Sequence, residues 1–171
     1  MKRIGMMLVV LALISSLSLT FVGQAFAYTY IGGKWLYKTI YWYDGTTGMA
    51  LTVSAADSWT TATEISLVKN LSTVFIYAKA NRSDVAWDGL TEVTRNVLGN
   101  FTSCKCQVNA YYTGSYTSHQ TQGVLAHEFG HSLGLGHQTS LAIMSVMYPY
   151  TSGRAYWLPK PDDISGVNNL Y

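Results

Sequence analysis

The residues best equipped for chemistry sit together at positions 127–137. The segment His127-Glu128-Phe129-Gly130-His131-Ser132-Leu133-Gly134-Leu135-Gly136-His137 fits the pattern H-E-x-x-H-x-x-G-x-x-H at every fixed position. Each residue of an α-helix turns by about 100°, so His127 and His131 stand one above the other and can aim both imidazoles at one point. His137 lies six residues beyond His131, and a continued helix would rotate it about 240° away from that face. The helix therefore has to end before His137. Gly134 sits where the break is needed, because glycine takes the left-handed conformation that ends helices and reverses the chain. Gly136 adds freedom just ahead of the third ring.

Three neutral imidazoles suit a zinc ion whose fourth position stays open to water, the arrangement of a catalytic rather than a closed structural site. Zinc brings the pKa of such a water down to about 7 and polarises a carbonyl placed beside it. Glu128 neighbours the first ligand and can reach that water without taking a coordination place. Its expected role is general base, accepting the water proton and later delivering it to the leaving amine. The chemistry implied is metal-assisted hydrolysis of a peptide bond, with protein or peptide as substrate. A lone helical histidine is usually a core or surface residue, but three at this spacing, with the Glu and the Gly, are poorly explained that way. Phe129, Leu133 and Leu135 read as packing, and His119 lies outside the pattern.

The elements that must position these groups can be read more coarsely. Gln120 to Leu133 predicts a helix with Leu125, Phe129 and Leu133 as its core stripe. Lys38 to Asp44 is rich in β-branched and aromatic residues and ends in the turn signal Asp44-Gly45, so it predicts a first strand. Leu51 to Val68 carries apolar residues at a spacing near 3.6 and predicts a helix. Ser72 to Ala80, with Val74, Phe75, Ile76 and Tyr77 uninterrupted, predicts a strand buried on both faces. Gly89 to Val97 and Cys106 to Thr113 are further strand candidates. In the second, Cys106, Val108, Ala110 and Tyr112 fall on one face. At the chain end, Asp162 and Asp163 favour a helix start, and Ile164, Val167 and Leu170 form a short apolar stripe.

With those residues in view, the 127–137 segment resembles that of a metzincin zinc peptidase, and in detail that of a matrixin, the matrix-metalloproteinase family with its small bacterial members. Val146-Met147-Tyr148-Pro149-Tyr150 is similar to the matrixin Met-turn, in which a methionine lies beneath the metal and the following residues wall the specificity pocket. The resemblance gives Met147 that place, and Tyr148 and Pro149 the wall; Ile143-Met144 offers a competing alignment, and core filling is the plain reading of both methionines. Pro161 to Val167, through Leu170-Tyr171, resembles the closing helix of matrixin catalytic domains. By that likeness Asp163 anchors the Met-turn, helix capping being the alternative. The implied fold is α+β, α/β-like: a zincin/metzincin catalytic domain with a twisted, mostly parallel sheet, one antiparallel edge strand, an active-site helix and a C-terminal helix. The third His would lie in a small C-terminal subdomain. Substrate would lie extended along the edge strand, for which Gly89-Leu90-Thr91 is the candidate. Gln138 departs from the residues usual after the third His. One zinc is expected, since a second, structural zinc needs several histidines and His119 alone remains; a calcium ion is left open without being placed.

Length and composition bound the rest. A chain of 171 residues suits one domain. Lys2 and Arg3 precede the apolar run Ile4 to Val22, and the small-x-small triplet Ala25-Phe26-Ala27 follows, which is the layout of a secretory signal peptide. The expected division is a signal peptide at 1–27 and a matrixin-like catalytic domain at 28–171, giving a secreted, extracellular monomer. An uncleaved segment would instead anchor the protein to a membrane, since the run approaches the roughly 20 residues needed to cross one. Removing Lys2 and Arg3 from the 11 basic residues leaves 9 against 9 acidic ones, so the remainder is near neutral. Without a basic patch, nucleic acid is not an expected partner. Cys104 and Cys106 leave open a tight local disulfide, free thiols, pairing with another chain and, last, a thiolate metal site. A zinc-binding interaction module with little or no turnover is the alternative from another class, and an intact Glu128 argues for the enzyme.

Overall fold

A computed structural model of the chain describes residues 27–46, 50–72, 76–81 and 84–171. The leader expected over 1–27 lies outside the described residues, apart from Ala27. Among the described residues no helix is long and apolar enough to cross a membrane.

Among the described residues five strands form one sheet: β1 (Thr39–Gly45), β2 (Ser66–Lys69), β3 (Ile76–Asn81), β4 (Gly89–Arg95) and β5 (Phe101–Asn109). Their order is β2-β1-β3-β5-β4, with β2, β1, β3 and β5 mutually parallel and β4 antiparallel to β5 at the edge. The mostly parallel sheet with an antiparallel edge strand is thus present, and Gly89-Leu90-Thr91 lies on that edge. The helices are α1 (Ala50–Ala62), the single turn α2 (Ala110–Thr113), α3 (Ser118–Ser132) and α4 (Pro161–Leu170).

One face of the sheet carries Ile40, Trp42, Leu67, Ile76, Ala78, Cys104, Cys106 and Val108, all buried beneath α1 and α3. Ala55, Ala56 and Trp59 of α1 and Val124, Leu125 and Phe129 of α3 fill the other side of that core. Phe129 packs edge-to-face on Trp42 at 5.5 Å between ring centroids, and Trp59 Nε1 donates to Ala126 O at 2.8 Å, pinning α1 to α3. Burying a side chain the size of Phe129 contributes roughly 1.5–3 kcal/mol, so this contact fixes the helix that holds the first two histidines.

Three sequence expectations change. The segment Leu51 to Val68 is helical only to Ala62. Thr63 Oγ1 donates to Trp59 O at 2.8 Å and accepts from Ile65 N at 3.2 Å, so its side chain supplies the turn that ends α1. Ser66 to Lys69 then pairs in parallel with Thr39 to Trp42. β3 is buried on one face only, since Tyr77 on the other is partly exposed and stacks on Tyr43. The last strand starts earlier than Cys106 and stops at Asn109, whose side chain accepts from Tyr111 N and caps α2.

Candidate metal centre

The helix α3 opens with a capping box, in which Thr117 accepts from Gln120 N and Gln120 Oε1 accepts from Thr117 N. It closes just past Ser132. Gly134 N donates to His131 O at 2.9 Å and Leu135 N to Gly130 O at 3.1 Å, with Gly134 at φ 102°, which together make a Schellman turn. A methyl group at Gly134 would also overlap Leu170 of α4. The chain thus reverses at the residue whose type suits it for reversal.

The reversal brings His137 back to the helix. One ring nitrogen from each of His127, His131 and His137 lies within 4.8 Å of the others, and His131 Nε2 and His137 Nε2 are 3.2 Å apart. His127 Nδ1 is 2.9 Å from Val146 O, and His131 Nδ1 is 2.8 Å from Leu135 O. A carbonyl only accepts, so each Nδ1 carries the proton and each Nε2 keeps its lone pair for a ligand. The donor set is three neutral nitrogens converging on one small volume, which fits zinc.

Electrostatics keep the rings neutral. Burial holds His127 well below the ordinary histidine range, helped by the charge of Arg154; burial takes His131 down to about 4; burial and then Arg154 lower His137. In the metal-free chain the folded rings bind fewer protons than unfolded ones, so this share of stability is lost as pH falls from 6.5 toward about 4. Glu128 works the other way. Burial raises its carboxyl to about 8, against the Thr91 hydrogen bond and the Arg154 charge, so its share is present at low pH and lost as pH rises through about 8.

Glu128 and the three histidines line one cleft of about 810 Å³. Gly89, Leu90 and Thr91 of the edge strand form one wall, and Pro149, Tyr150, Thr151 and Arg154 form another. Tyr148 is not among the lining residues; its ring lies against Gly153, and its carbonyl accepts from Arg154 Nε and Nη2. His119 is exposed near the start of α3 and lies outside the cleft.

Beneath the cluster, Met147 is buried with its sulfur against Gly130, where a side chain on Gly130 would overlap it. Met144 is half exposed, so of the two methionines Met147 occupies the space under the helix. Asp163 accepts from Ser145 Oγ at 2.5 Å, Val146 N at 2.8 Å and Lys160 N at 2.8 Å, tying the 145–147 turn to α4. Gln138 is buried, donates its backbone N–H to Met147 O at 2.9 Å, and uses its side chain on Ala27 O and Asp162 Oδ2.

Several contributors had no signal in the sequence. Arg154 is buried and also donates to Gly123 O at 3.0 Å, clamping the 148–154 loop to α3. Asp88 accepts from Thr151 Oγ1 at 2.5 Å and Tyr116 Oη at 3.1 Å, tying that loop to the start of β4. Thr29 Oγ1 donates to His137 O at 2.8 Å, and Thr29 O accepts from Gly136 N at 2.7 Å. A lone Arg, Asp or Thr in a loop carries no periodicity that marks such a role. Cys104 and Cys106 are free, buried thiols beneath α3, and burial raises Cys106 to about 12.

Comparison with known proteins follows the same lines. The family model described as Matrixin matches residues 41–171. Matrix metalloproteinase-20 of Homo sapiens is 49% identical over 49 residues, covering 28% of this chain and 10% of that protein. Interstitial collagenase of Bos taurus is 40% identical over 62 residues, covering 36% of this chain and 13% of that protein. The matched stretch is thus a small part of those relatives' length. Among solved structures, a chain of the GM1-bound form of the ECX AB5 holotoxin matches with TM-score 0.55 at 13% identity, covering 78% of this chain and 80% of that one, a likeness of fold alone.

Proposed function

The chain belongs to the matrixin family, and from that premise we propose that it is a secreted zinc-dependent endopeptidase. The observation that carries the proposal is the convergence of His127, His131 and His137 within one cleft that also holds the Glu128 carboxylate. In this reading the three imidazoles are the metal ligands, and Gly134 makes the third one available. Met147 supports the cluster from below and Asp163 anchors its turn, while Pro149 contributes to the pocket wall.

Zinc held there supplies an acidified water and a polarised scissile carbonyl. The chain's own residues do the rest. Glu128, buried in the same cleft, would act as the general base, taking a proton from the attacking water and returning it to the leaving nitrogen. Among the described residues the edge strand β4 pairs with β5 alone, so its outer edge is placed to take an extended protein or peptide chain as an added strand. The layout of residues 1–27 supports export to the extracellular space.

The test is hydrolysis of a peptide library by the zinc-loaded protein and by Glu128→Ala. The variant is expected to keep its zinc and to lose roughly 10² to 10⁴ in kcat. Unchanged turnover in the variant would remove Glu128 from the mechanism. A parent protein that binds zinc and cleaves nothing would leave the zinc-binding interaction module as the reading.

A further inference from the structure

The edge strand does more than face the cleft. Glu128 is only 4% exposed, and its carboxylate meets two residues of β4. At Gly89 the carboxylate lies against bare backbone, and a side chain there would overlap Oε1 of Glu128 and Cγ1 of Val124. Two residues further on, and therefore on the same side of the strand, Thr91 Oγ1 lies 2.8 Å from Glu128 Oε2. The same hydroxyl lies 2.9 Å from the backbone carbonyl of Glu128. One oxygen is thus shaped by the missing side chain of Gly89, and the other is met by the hydroxyl of Thr91.

We propose that Thr91 is a positioning residue for the general base, through which the substrate-binding strand sets the aim of Glu128. The inference rests on the proposed role of Glu128. A buried carboxylate without a donor would choose its rotamer by packing alone; the Thr91 hydroxyl picks one rotamer and stabilises its charge. The hydroxyl has a single proton and two acceptors at nearly equal range. Because Gly89, Leu90 and Thr91 are the residues along which a peptide would add, an occupied edge also stiffens the contact to the base.

Thr91→Val removes the hydroxyl while keeping a β-branched side chain of the same shape, and Thr91→Ser restores it. With zinc-loaded protein and a cleaved peptide, Thr91→Val is expected to lower kcat about tenfold to a hundredfold, since small misplacements of a catalytic group cost that much. KM should stay within about twofold, the pattern of an interaction that matters after binding. Thr91→Ser should recover most of kcat, and both variants should keep one zinc and a cooperative thermal transition. A second readout needs no turnover: the infrared band of the Glu128 carboxyl group, located by its loss in Glu128→Gln, should shift in Thr91→Val and not in Thr91→Ser. Should Thr91→Val lack a cooperative thermal transition, Thr91→Ala is read with the same expectations. Unchanged kcat, a rise in KM alone, failure of Ser to rescue, or an unshifted band overturns the proposal while leaving Glu128 in place. An inactive parent protein instead sinks the reading of Glu128 as a base, and this proposal with it.

Discussion

The two halves of the histidine cluster are held by different physics. His127 and His131 sit on α3, where helical spacing, a capping box and the packing of Phe129 on Trp42 settle their positions. His137 sits on a loop, and its place depends on partners distant in sequence. Thr29 bonds to its carbonyl, Gln138 beside it bonds to Met147, and Asp163 holds the turn that contains Met147. Gly134 is the joint between the two regimes. The helix half follows from local sequence, and the loop half needs most of the folded chain before it exists. Damage to the loop half should therefore show in metal affinity as well as in stability.

Asp163→Ala should give the largest effect among variants that spare the ligands. It strips three donors of their acceptor, one being the Val146 N–H next to the carbonyl that orients His127, and each unsatisfied buried group costs about 1–3 kcal/mol. Denaturant melts should show a loss on the order of 3 kcal/mol together with weaker zinc binding. An unchanged zinc affinity would mean that the turn does not orient the cluster.

Gly134→Ala tests the joint. A non-glycine residue in the left-handed region costs roughly 1–2 kcal/mol, and overlap with Leu170 adds to it. The thermal midpoint should fall by at least several degrees, with the helical circular dichroism largely kept. A neutral substitution would show that the reversal can be made elsewhere.

Thr29→Val should be the mildest. The bond from Thr29 Oγ1 to His137 O is exposed, so its loss should cost no more than about 0.5–1.5 kcal/mol. Zinc affinity should drop by less than the roughly 10- to 100-fold typical of groups bonded directly to a ligand ring. A competition titration against a chromophoric chelator measures this, and a loss as large as that of Asp163→Ala would contradict the ranking.

The same division explains what the sequence made legible. The four-residue interval of His127 and His131, the need for a break, and Gly134 as its site follow from helix geometry. The strand read over Lys38 to Asp44 from residue type and its turn signal, and the candidate over Gly89 to Val97, lie close to Thr39–Gly45 and Gly89–Arg95. Leu51 to Val68 misled because Leu67 continues a helical period. Its true environment is set by parallel pairing with β1 across 26 or so intervening positions, a contact no local window contains. Thr91 on Glu128, Asp88 on Thr151 and Thr29 on His137 escaped for the same reason, each joining residues dozens of positions apart. Met147 and Met144 differ in burial and not in type, a difference that the sequence alone does not carry.

The central claim is that three imidazoles hold one divalent ion. Native mass spectrometry of the metal-free chain during zinc titration tests it most directly, with His127→Ala and His137→Ala run beside the parent. The account predicts one zinc per parent chain, and strongly reduced loading in both variants at the same free zinc. A parent that takes up no stoichiometric zinc, or variants that load as fully as the parent, would contradict it.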